Sequence, residues 1–209
     1  MAQLFFKYGA MNSSKSAQLM MTAHNYREQG KDVIIMTTAL DDRAGKTGVV
    51  HSRIGLEEPA VAIDRDTDLK QYVKEHRDNC NCVLIDEAQF LTHDQVLELT
   101  AVVDQLNIPV VAFGLKNDFE NHLFEGSEAL LIYADKIDEV KTICWFCNKK
   151  ATMNLRISNG QPQYVGDQLQ IGGNESYLPV CRYHYLHPDL KEVNNSGLKS
   201  EACNSICQK

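Results

Sequence analysis

The sequence predicts an α/β fold built on a parallel sheet, and three observations carry the prediction. Short apolar runs alternate with longer amphipathic stretches over the first two-thirds of the chain. A loop that begins with glycine and ends with lysine and serine joins the first run to the first stretch, and a later apolar run ends in Asp86 and Glu87. Alternating strands and helices favour a parallel sheet with helices on both faces.

The first elements follow from periodicity and from residues that end helices. Leu4–Tyr8 is predicted as a strand, residues 16–29 as a helix ended by Gly30, and Val33–Thr38 as a second strand. Residues 40–59 contain Gly, Asp and Arg without a clear period, which predicts a mobile loop.

The middle of the chain continues the alternation. Cys82–Asp86 has the pattern of a buried strand, and so do residues 110–113 after a proline. Between them, Thr92 and Gln95 form a capping box that opens a helix. Its apolar residues recur at helical spacing: Val96, Leu99, Val103 and Leu106.

The pattern changes near residue 142. Strand-like pieces at 152–157 and 169–171 are separated by Asn-Gly and Gly-Gly turns, which predicts a small β-module. From residue 186 the chain is polar and has no period. The predicted organisation is a nucleotide-binding core over 1–141, a small domain over 142–185 and a polar tail over 186–209.

Composition narrows the classes of function. The chain has 209 residues and a net charge of −7, which disfavours a protein that holds a nucleic-acid backbone. It has no apolar stretch near 18 residues and no secretory cleavage pattern, so we expect no membrane span and a cytoplasmic location. Seven cysteines, an odd number, then favour metal binding over disulfides.

The loop between the first strand and the first helix resembles a phosphate-binding loop. A helix N-terminus and successive backbone N–H groups both favour an anion. Lys15 would contact the β- and γ-phosphates, and Ser16 would bind Mg²⁺. Position 14, usually glycine because φ there is positive, is serine, so we expect strained dihedrals at Ser14. The predicted nucleotide-binding residues are Gly9, Ala10, Met11, Asn12, Ser13, Ser14, Lys15 and Ser16.

The alternative interpretation of residues 9–16 is an ordinary strand–helix turn with a solvated lysine. A second candidate segment, Gly45-Lys46-Thr47, looks like the end of a phosphate-binding loop. It lacks the glycine that this motif needs at position 40. We expect Lys46 to be a loop residue.

Asp86 and Glu87 lie at the end of the strand predicted over Cys82–Asp86. An acid at the carboxyl end of such a strand is where Mg²⁺ is usually held beside a phosphate loop. Glu87 can then accept a proton from an attacking hydroxyl. The alternative is a solvated strand end.

Two ligand pairs predict a zinc site. Cys144 with Cys147, and Cys181 with His184, each have two residues between them. Three thiolates and one imidazole suit tetrahedral Zn²⁺, and a site with four protein ligands is structural. The remaining cysteines are expected not to be ligands: Cys80, Cys82, Cys203 and Cys207.

Five collinear blocks resemble the type II thymidine kinases of bacteria. They are GAMNSSKS, the DDR at 41–43, DEAQFL at 86–91, GLKNDF at 114–119, and the zinc pairs around IGGNESY at 171–177. The resemblance spans residues 2 to about 185. It implies a P-loop, RecA-like core and a zinc-bearing lasso domain that closes over the nucleoside.

The resemblance also implies the reaction and its residues. The γ-phosphate of ATP would move to the 5′-hydroxyl of deoxythymidine to give dTMP, a salvage step for DNA synthesis. Glu87 matches the general base, Asp86 the magnesium-associated acid, and Arg43 an arginine on the donor phosphates. Family members are commonly homotetramers inhibited by dTTP. The implied nucleoside contacts are Met11, Gln89, Phe90, Leu115, Phe119, Phe124, Gln168, Leu169, Gln170, Ile171, Gly172 and Tyr177.

Two other classes of function stay open at this point. A RecA-like sheet also serves ATPases that act on DNA, although the charge of this chain argues against one. A zinc-ribbon interaction module with a decayed loop would explain the serine at position 14. Titration with DNA tests the first class, and an assay of phosphate transfer to thymidine tests the second.

Overall fold

A computed structural model describes residues 1–39, 48–166 and 175–189 of the chain. The helices of this part are α1 (Lys15–Glu28), α2 (Leu69–Glu75), α3 (His93–Ala101), α4 (Glu125–Tyr133) and α5 (Arg182–Leu186). Its strands are β1 (Leu4–Tyr8), β2 (Val33–Thr38), β3 (Val49–His51), β4 (Glu57–Pro59), β5 (Val61–Ile63), β6 (Cys82–Asp86), β7 (Val110–Gly114), β8 (Lys136–Glu139), β9 (Met153–Ser158), β10 (Gln161–Gln163) and β11 (Glu175–Val180).

A parallel six-stranded sheet forms the centre of the fold, in the order β5-β2-β6-β7-β1-β8. Helices cover both faces, as predicted. Alternate residues of β1, β2, β6 and β7 pack in one cluster with α2, α3 and α4, while the intervening residues pack in a second cluster with α1. Because successive side chains of a strand point to opposite faces, strands buried on both faces are apolar at nearly every position.

Most of the predicted elements are confirmed. The bounds of β1, β2 and β6 are those predicted, and Gly30 follows α1 with a φ of 68°. Thr92 and Gln95 make the predicted capping box. The helix that they open ends at Ala101, and the chain continues to residue 106 as a wider π-helical turn.

The loop interpretation of residues 40–59 is wrong for the part that the structure describes. β3 and β4 pair there as an antiparallel hairpin. Each strand has only three residues, too few to display an alternating pattern, and backbone hydrogen bonds define the hairpin. Lys46 lies outside the described residues.

The described chain divides into two compact units. The first comprises residues 1–116 and 123–140, and the second comprises residues 117–122 with the described part of 141–209. In the second unit, β9, β10 and β11 form an antiparallel sheet in the order β10-β9-β11. The predicted turn at Asn159 and Gly160 is present with φ values of 50° and 73°, as a two-residue hairpin requires. Residues 169–171 lie outside the described part.

None of the helices in the described ranges combines the length and the apolar character that a membrane crossing needs.

Candidate active site and candidate metal centre

The predicted phosphate loop, residues 9–16, connects β1 to the N-terminus of α1. Asn12 and Ser14 have φ values of 61° and 64°, in the left-handed region. The prediction that Ser14 is strained is therefore confirmed. A non-glycine residue in this region costs on the order of 1 kcal/mol. Left-handed residues at alternate positions are typical of the concave turns that gather backbone N–H groups around an anion.

Lys15 is folded over its own loop. Its Nζ donates to Gly9 O at 3.3 Å, to Ala10 O at 3.0 Å and to Ser13 Oγ at 3.4 Å. The residue is only 9% exposed, so the alternative of a solvated lysine does not fit. The structure instead places an ammonium group inside the loop, where it can meet a bound phosphate.

Gly9 is required by close packing. A Cβ at this position would lie 2.4 Å from Val140 O and 2.5 Å from Ser13 Oγ. Its backbone N–H also donates to Gly114 O at 3.2 Å. The start of the loop is thus held between two neighbouring strand ends.

Ser16 and Asp86 meet although they lie 70 residues apart. Ser16 Oγ donates to Asp86 Oδ2 at 2.8 Å. Asp86 is 3% exposed, and burial, followed by the charge of Glu87, raises the pKa of its carboxyl to about 7. The Ser16 hydroxyl opposes this rise. A hydroxyl and a carboxylate are the hard oxygen ligands that Mg²⁺ prefers, so the donor set fits that ion.

Glu87 follows β6 in a left-handed conformation, with φ 52° and ψ 38°. It lines a cavity of about 270 Å³ together with Leu115 and residues 11–17 of the loop and of α1. The cavity therefore brings the predicted base and the predicted phosphate loop together.

The β3–β4 hairpin adds a wall that sequence reasoning missed. His51, Ser52, Arg53 and Ile54 line the same cavity. A short strand without a recognisable motif gave no indication of this contact. Arg53 places a second cationic residue beside the loop.

The predicted nucleoside contacts fall in both units. In the first unit, Met11 and Leu115 line the cavity, and Phe90 packs edge-on against Phe124 with ring centroids 5.6 Å apart. Gln89 is 1% exposed, and its side-chain amide donates a hydrogen bond to Glu87 and accepts one from the backbone N–H of Leu115.

In the second unit, Phe119 and Tyr177 lie with ring centroids 6.4 Å apart. Arg156 was missed by sequence reasoning. Its guanidinium carbon lies 4.8 Å from the Phe119 ring centroid, and the residue is 3% exposed. A charged residue between Leu155 and Ile157 in a buried strand was the available clue. A buried cation on an aromatic face stabilises the ring's position.

Six predicted site residues cannot be placed. Arg43 and the lasso residues lie outside the described part of the chain: Gln168, Leu169, Gln170, Ile171 and Gly172. Their roles stay predictions.

The four predicted metal ligands come together in the second unit. The ligand atoms of Cys144, Cys147, Cys181 and His184 all lie within 4.8 Å of one another. Sγ of Cys144 and of Cys181 lie 3.4 and 3.5 Å from His184 Nδ1, and the Sγ atoms of Cys147 and Cys181 are 3.9 Å apart. Ligands of a tetrahedral zinc ion are separated by about 3.5–3.8 Å. The cluster can therefore hold a metal ion of this kind.

Thiol pKa values differ within the cluster as well as between the cluster and the sheet. At Cys147 a hydrogen bond from the backbone N–H of Lys149 acts to lower the pKa, but burial and the thiols of Cys144 and Cys181 raise it. Burial acts to raise the pKa of Cys181, but hydrogen bonds from the backbone N–H of His184 and from the neighbouring ligands lower it to about 7. Burial raises the pKa of Cys80 to about 11 and that of Cys82 to about 12. Burial therefore favours the neutral thiol at both positions. Cys203 and Cys207 lie outside the described residues.

Known proteins resemble this chain over most of its length. The family model for thymidine kinase matches residues 2–185. A thymidine kinase of Lactiplantibacillus plantarum is 61% identical over 90% of this chain and 97% of its own length. A thymidine kinase of Streptococcus pyogenes serotype M3 is 59% identical over 91% of this chain and its own full length. Among solved structures, Bacteroides Pif1 bound to ssDNA aligns with 66% of this chain and 38% of its own chain, at a TM-score of 0.37 and 17% identity.

Proposed function

The chain belongs to the thymidine kinase family, and from this premise we propose that it transfers the γ-phosphate of ATP to the 5′-hydroxyl of deoxythymidine. The observation that carries the proposal is the hydrogen bond of 2.8 Å between Ser16 and Asp86. It joins the end of the phosphate loop to the strand end that bears Glu87. The loop that would hold the phosphate donor and the carboxylate that would accept the proton can then act on the same hydroxyl group.

The phosphate loop is the proposed site of the ATP phosphates. The N-terminus of α1 and the backbone N–H groups of the loop favour the anion. Lys15 Nζ would exchange contacts with loop carbonyls, at 3.0 and 3.3 Å, for contacts with phosphate oxygens. In this assignment the loop belongs to a P-loop, RecA-like core, and Arg43 adds a further cation.

Ser16 and Asp86 are the proposed magnesium ligands. A bound Mg²⁺ would neutralise charge on the β- and γ-phosphates. The 3% exposure of Asp86 and its raised pKa indicate a carboxylate whose charge is poorly solvated without a cation. The chain's own contribution is to hold these two oxygens next to the loop.

Glu87 is the proposed general base. Its carboxylate would accept the proton of the 5′-hydroxyl as that oxygen bonds to the γ-phosphorus. The bond between the γ-phosphorus and the bridging oxygen breaks at the same time, and ADP leaves with the bonding electrons. A carboxylate in this position contributes about 10²–10⁴-fold in rate.

The base of the nucleoside is proposed to contact aromatic and apolar side chains. Met11, Phe90, Leu115 and Phe124 are the candidates in the first unit, and Phe119 and Tyr177 have the same proposed role. Flat rings with apolar faces pack well against such side chains. The thymine edge is proposed to bond main-chain groups of residues 168–172.

The cluster of three cysteines and one histidine is the proposed structural zinc site. All four positions of a tetrahedral ion would be filled by protein, which leaves none for a reacting water. We propose that the metal folds residues 142–185 into a lasso domain, with 1–141 as the kinase core and 186–209 as a tail.

Inhibition by dTTP, a homotetrameric state and a cytoplasmic location complete the proposal. All three come from the family resemblance or from composition. Inhibition kinetics with dTTP and light scattering at several protein concentrations test the first two directly.

The proposed function is tested with γ-labelled ATP and each of the four deoxynucleosides. We expect labelled dTMP with thymidine, activity with deoxyuridine, and much weaker transfer to deoxycytidine. Cytosine reverses donor and acceptor on its pairing edge, and a mismatch of buried hydrogen-bonding groups is costly. Equal catalytic efficiency on deoxycytidine would contradict the proposed base contacts, and absence of transfer to thymidine would contradict the function.

A further inference from the structure

The side chain of Gln89 connects Glu87 to the end of β7. Gln89 lies in the short 3-10 turn Ala88–Phe90 that follows Glu87, and it is 1% exposed. Its Nε2 donates to Glu87 Oε2 at 2.5 Å, and its Oε1 accepts from the backbone N–H of Leu115 at 3.0 Å. The amide thus spans from a strand end to the carboxylate.

The orientation of this amide is fixed by chemistry. The backbone N–H of Leu115 can only donate, so the oxygen of the amide must face it. The NH₂ group then faces Glu87, whose carboxylate oxygen accepts the bond. A reversed amide would place its NH₂ group against the N–H of Leu115 and its oxygen against the carboxylate of Glu87.

The surroundings hold the amide in place. A Cβ at Gly114 would lie 2.8 Å from Gln89 Oε1, so the glycine at the end of β7 leaves the space that the amide fills. On the other side, a Cβ at Gly126 would lie 2.5 Å from Ala88 O, so α4 packs directly on the turn. Ser127 also donates to Leu115 O.

Resting on the proposed role of Glu87, we propose that Gln89 is a positioning residue that orients the Glu87 carboxylate for proton transfer. Glutamate has three rotatable side-chain bonds, and a general base works only within about 2.6–3.2 Å of the proton's oxygen. The hydrogen bond to Oε2 restricts the rotation of the carboxylate and holds its plane. Loss of such alignment lowers the rate while leaving binding intact.

This role differs from the nucleoside contact that the family resemblance implies for Gln89. Both ends of the amide are engaged inside the first unit, by Glu87 and by Leu115. Nε2 keeps a second N–H and Oε1 a second lone pair, but the side chain is 1% exposed, which leaves these positions little access to a nucleoside. The two roles also predict different kinetics, since a lost contact raises KM and a lost alignment lowers kcat.

The test is a double-mutant cycle with Gln89→Met and Glu87→Gln. Methionine has a similar length and neither hydrogen bond. Alone, Gln89→Met should lower kcat by about 10- to 100-fold, with KM for ATP and thymidine changed by less than about threefold. In the Glu87→Gln background, the same substitution should cost less than about threefold in kcat, because its target is already disabled.

Gln95→Met is the matched control. Gln95 is a second buried glutamine, 3% exposed, whose Nε2 donates to Asp64 O at 2.7 Å and to Thr67 O at 3.1 Å. Its substitution removes the bonds of a buried amide without touching Glu87, so it should lower thermal stability and leave kcat unchanged.

The outcomes separate the inference from the proposed function. Wild-type kcat in Glu87→Gln alone removes the base role. If Glu87→Gln is slow, then multiplicative losses in the double variant, or a raised KM with normal kcat in Gln89→Met, overturn the positioning role. Should Gln89→Met not fold, Gln89→Glu assayed near pH 8.5 keeps an acceptor for Leu115 but replaces the donor with a second carboxylate. Wild-type kcat in that variant likewise overturns the inference.

Discussion

The two candidate sites of this chain are assembled in different ways. In the first unit, the phosphate loop and Asp86 come from strands far apart in sequence, and hydrogen bonds such as the 2.8 Å bond of Ser16 join them. In the second unit, the candidate metal centre uses two local pairs with two residues between the partners, and their ligand atoms lie within 4.8 Å of one another. The parallel sheet assembles the first site, whereas a metal ion would stabilise the second.

Burial acts on the acids of both sites, with different results. The pKa of Asp86 is raised to about 7, because burial and the charge of Glu87 outweigh its hydrogen bonds. The pKa of Cys181 is lowered to about 7, because hydrogen bonds from its neighbours outweigh burial. The first site therefore contains a poorly solvated acid that favours the arrival of a cation. In the second site the pKa of Cys181 is lowered while that of Cys147 is raised.

Loss of the base should give the largest effect on turnover. We expect Glu87→Gln to lower kcat by roughly 10²–10⁴-fold while ATP and thymidine affinities stay nearly unchanged. The amide keeps the shape of the side chain but accepts a proton poorly. Steady-state kinetics and calorimetric titration measure the two quantities. Glu28→Gln, at the exposed end of α1, is the control, and unchanged kcat in Glu87→Gln would remove its proposed role.

Removal of a metal ligand should unfold the second unit and leave the six-stranded sheet of the first unit folded. In Cys181→Ala we expect loss of bound zinc, disorder of that unit and weaker thymidine binding, because metal binding and folding are coupled. Trp145, the chain's single tryptophan, bonds Pro179 O through its backbone N–H at 2.9 Å, so its fluorescence reports on this unit.

Cys80→Ala provides the control for that experiment, since Cys80 is buried in the first unit. It should retain one zinc per chain and native Trp145 fluorescence. Finding substantially less than one zinc in freshly prepared, active wild-type protein would refute the proposed metal centre.

Substitutions at Ser14 should change ATP affinity by a smaller amount. Its φ of 64° suits glycine and disfavours a β-branched residue. We expect Ser14→Val to weaken ATP binding by about tenfold and Ser14→Gly to keep or improve it, by up to about fivefold. Calorimetric titration with ATP decides this. If valine binds ATP as well as serine does, the loop does not approach phosphate at this position.

The last prediction concerns the reactivity of the thiols and involves no change in activity. Cys80 and Cys82 are buried, and their raised pKa values keep them protonated. Mass spectrometry after alkylation should find them unmodified with or without a chelator. Cys144, Cys147 and Cys181 should become modified once the metal is removed. Early alkylation of Cys82 would contradict the burial of β6.

Much of the fold was predictable because its strands are buried on both faces. Such strands are continuous apolar runs, so β1, β2 and β6 were found with their bounds. The β3–β4 hairpin was missed, since strands of three residues show no period. Arg156 was missed as a neighbour of Phe119 for a related reason: one charge in a strand does not say which ring it will face.

The sequence by itself determined the chemistry available to this protein: the loop with its lysine, the acid that ends β6 and the acid that follows it, and the four candidate metal ligands. Local spacing carries this information, because strand–loop–helix contexts and ligand pairs are short. Only the tertiary structure decided how these groups meet. It joined Ser16 to Asp86, lined the cavity with the hairpin, and placed the amide of Gln89 between Leu115 and Glu87. These contacts depend on which strands are neighbours in the sheet, and strand order arises from packing the whole chain.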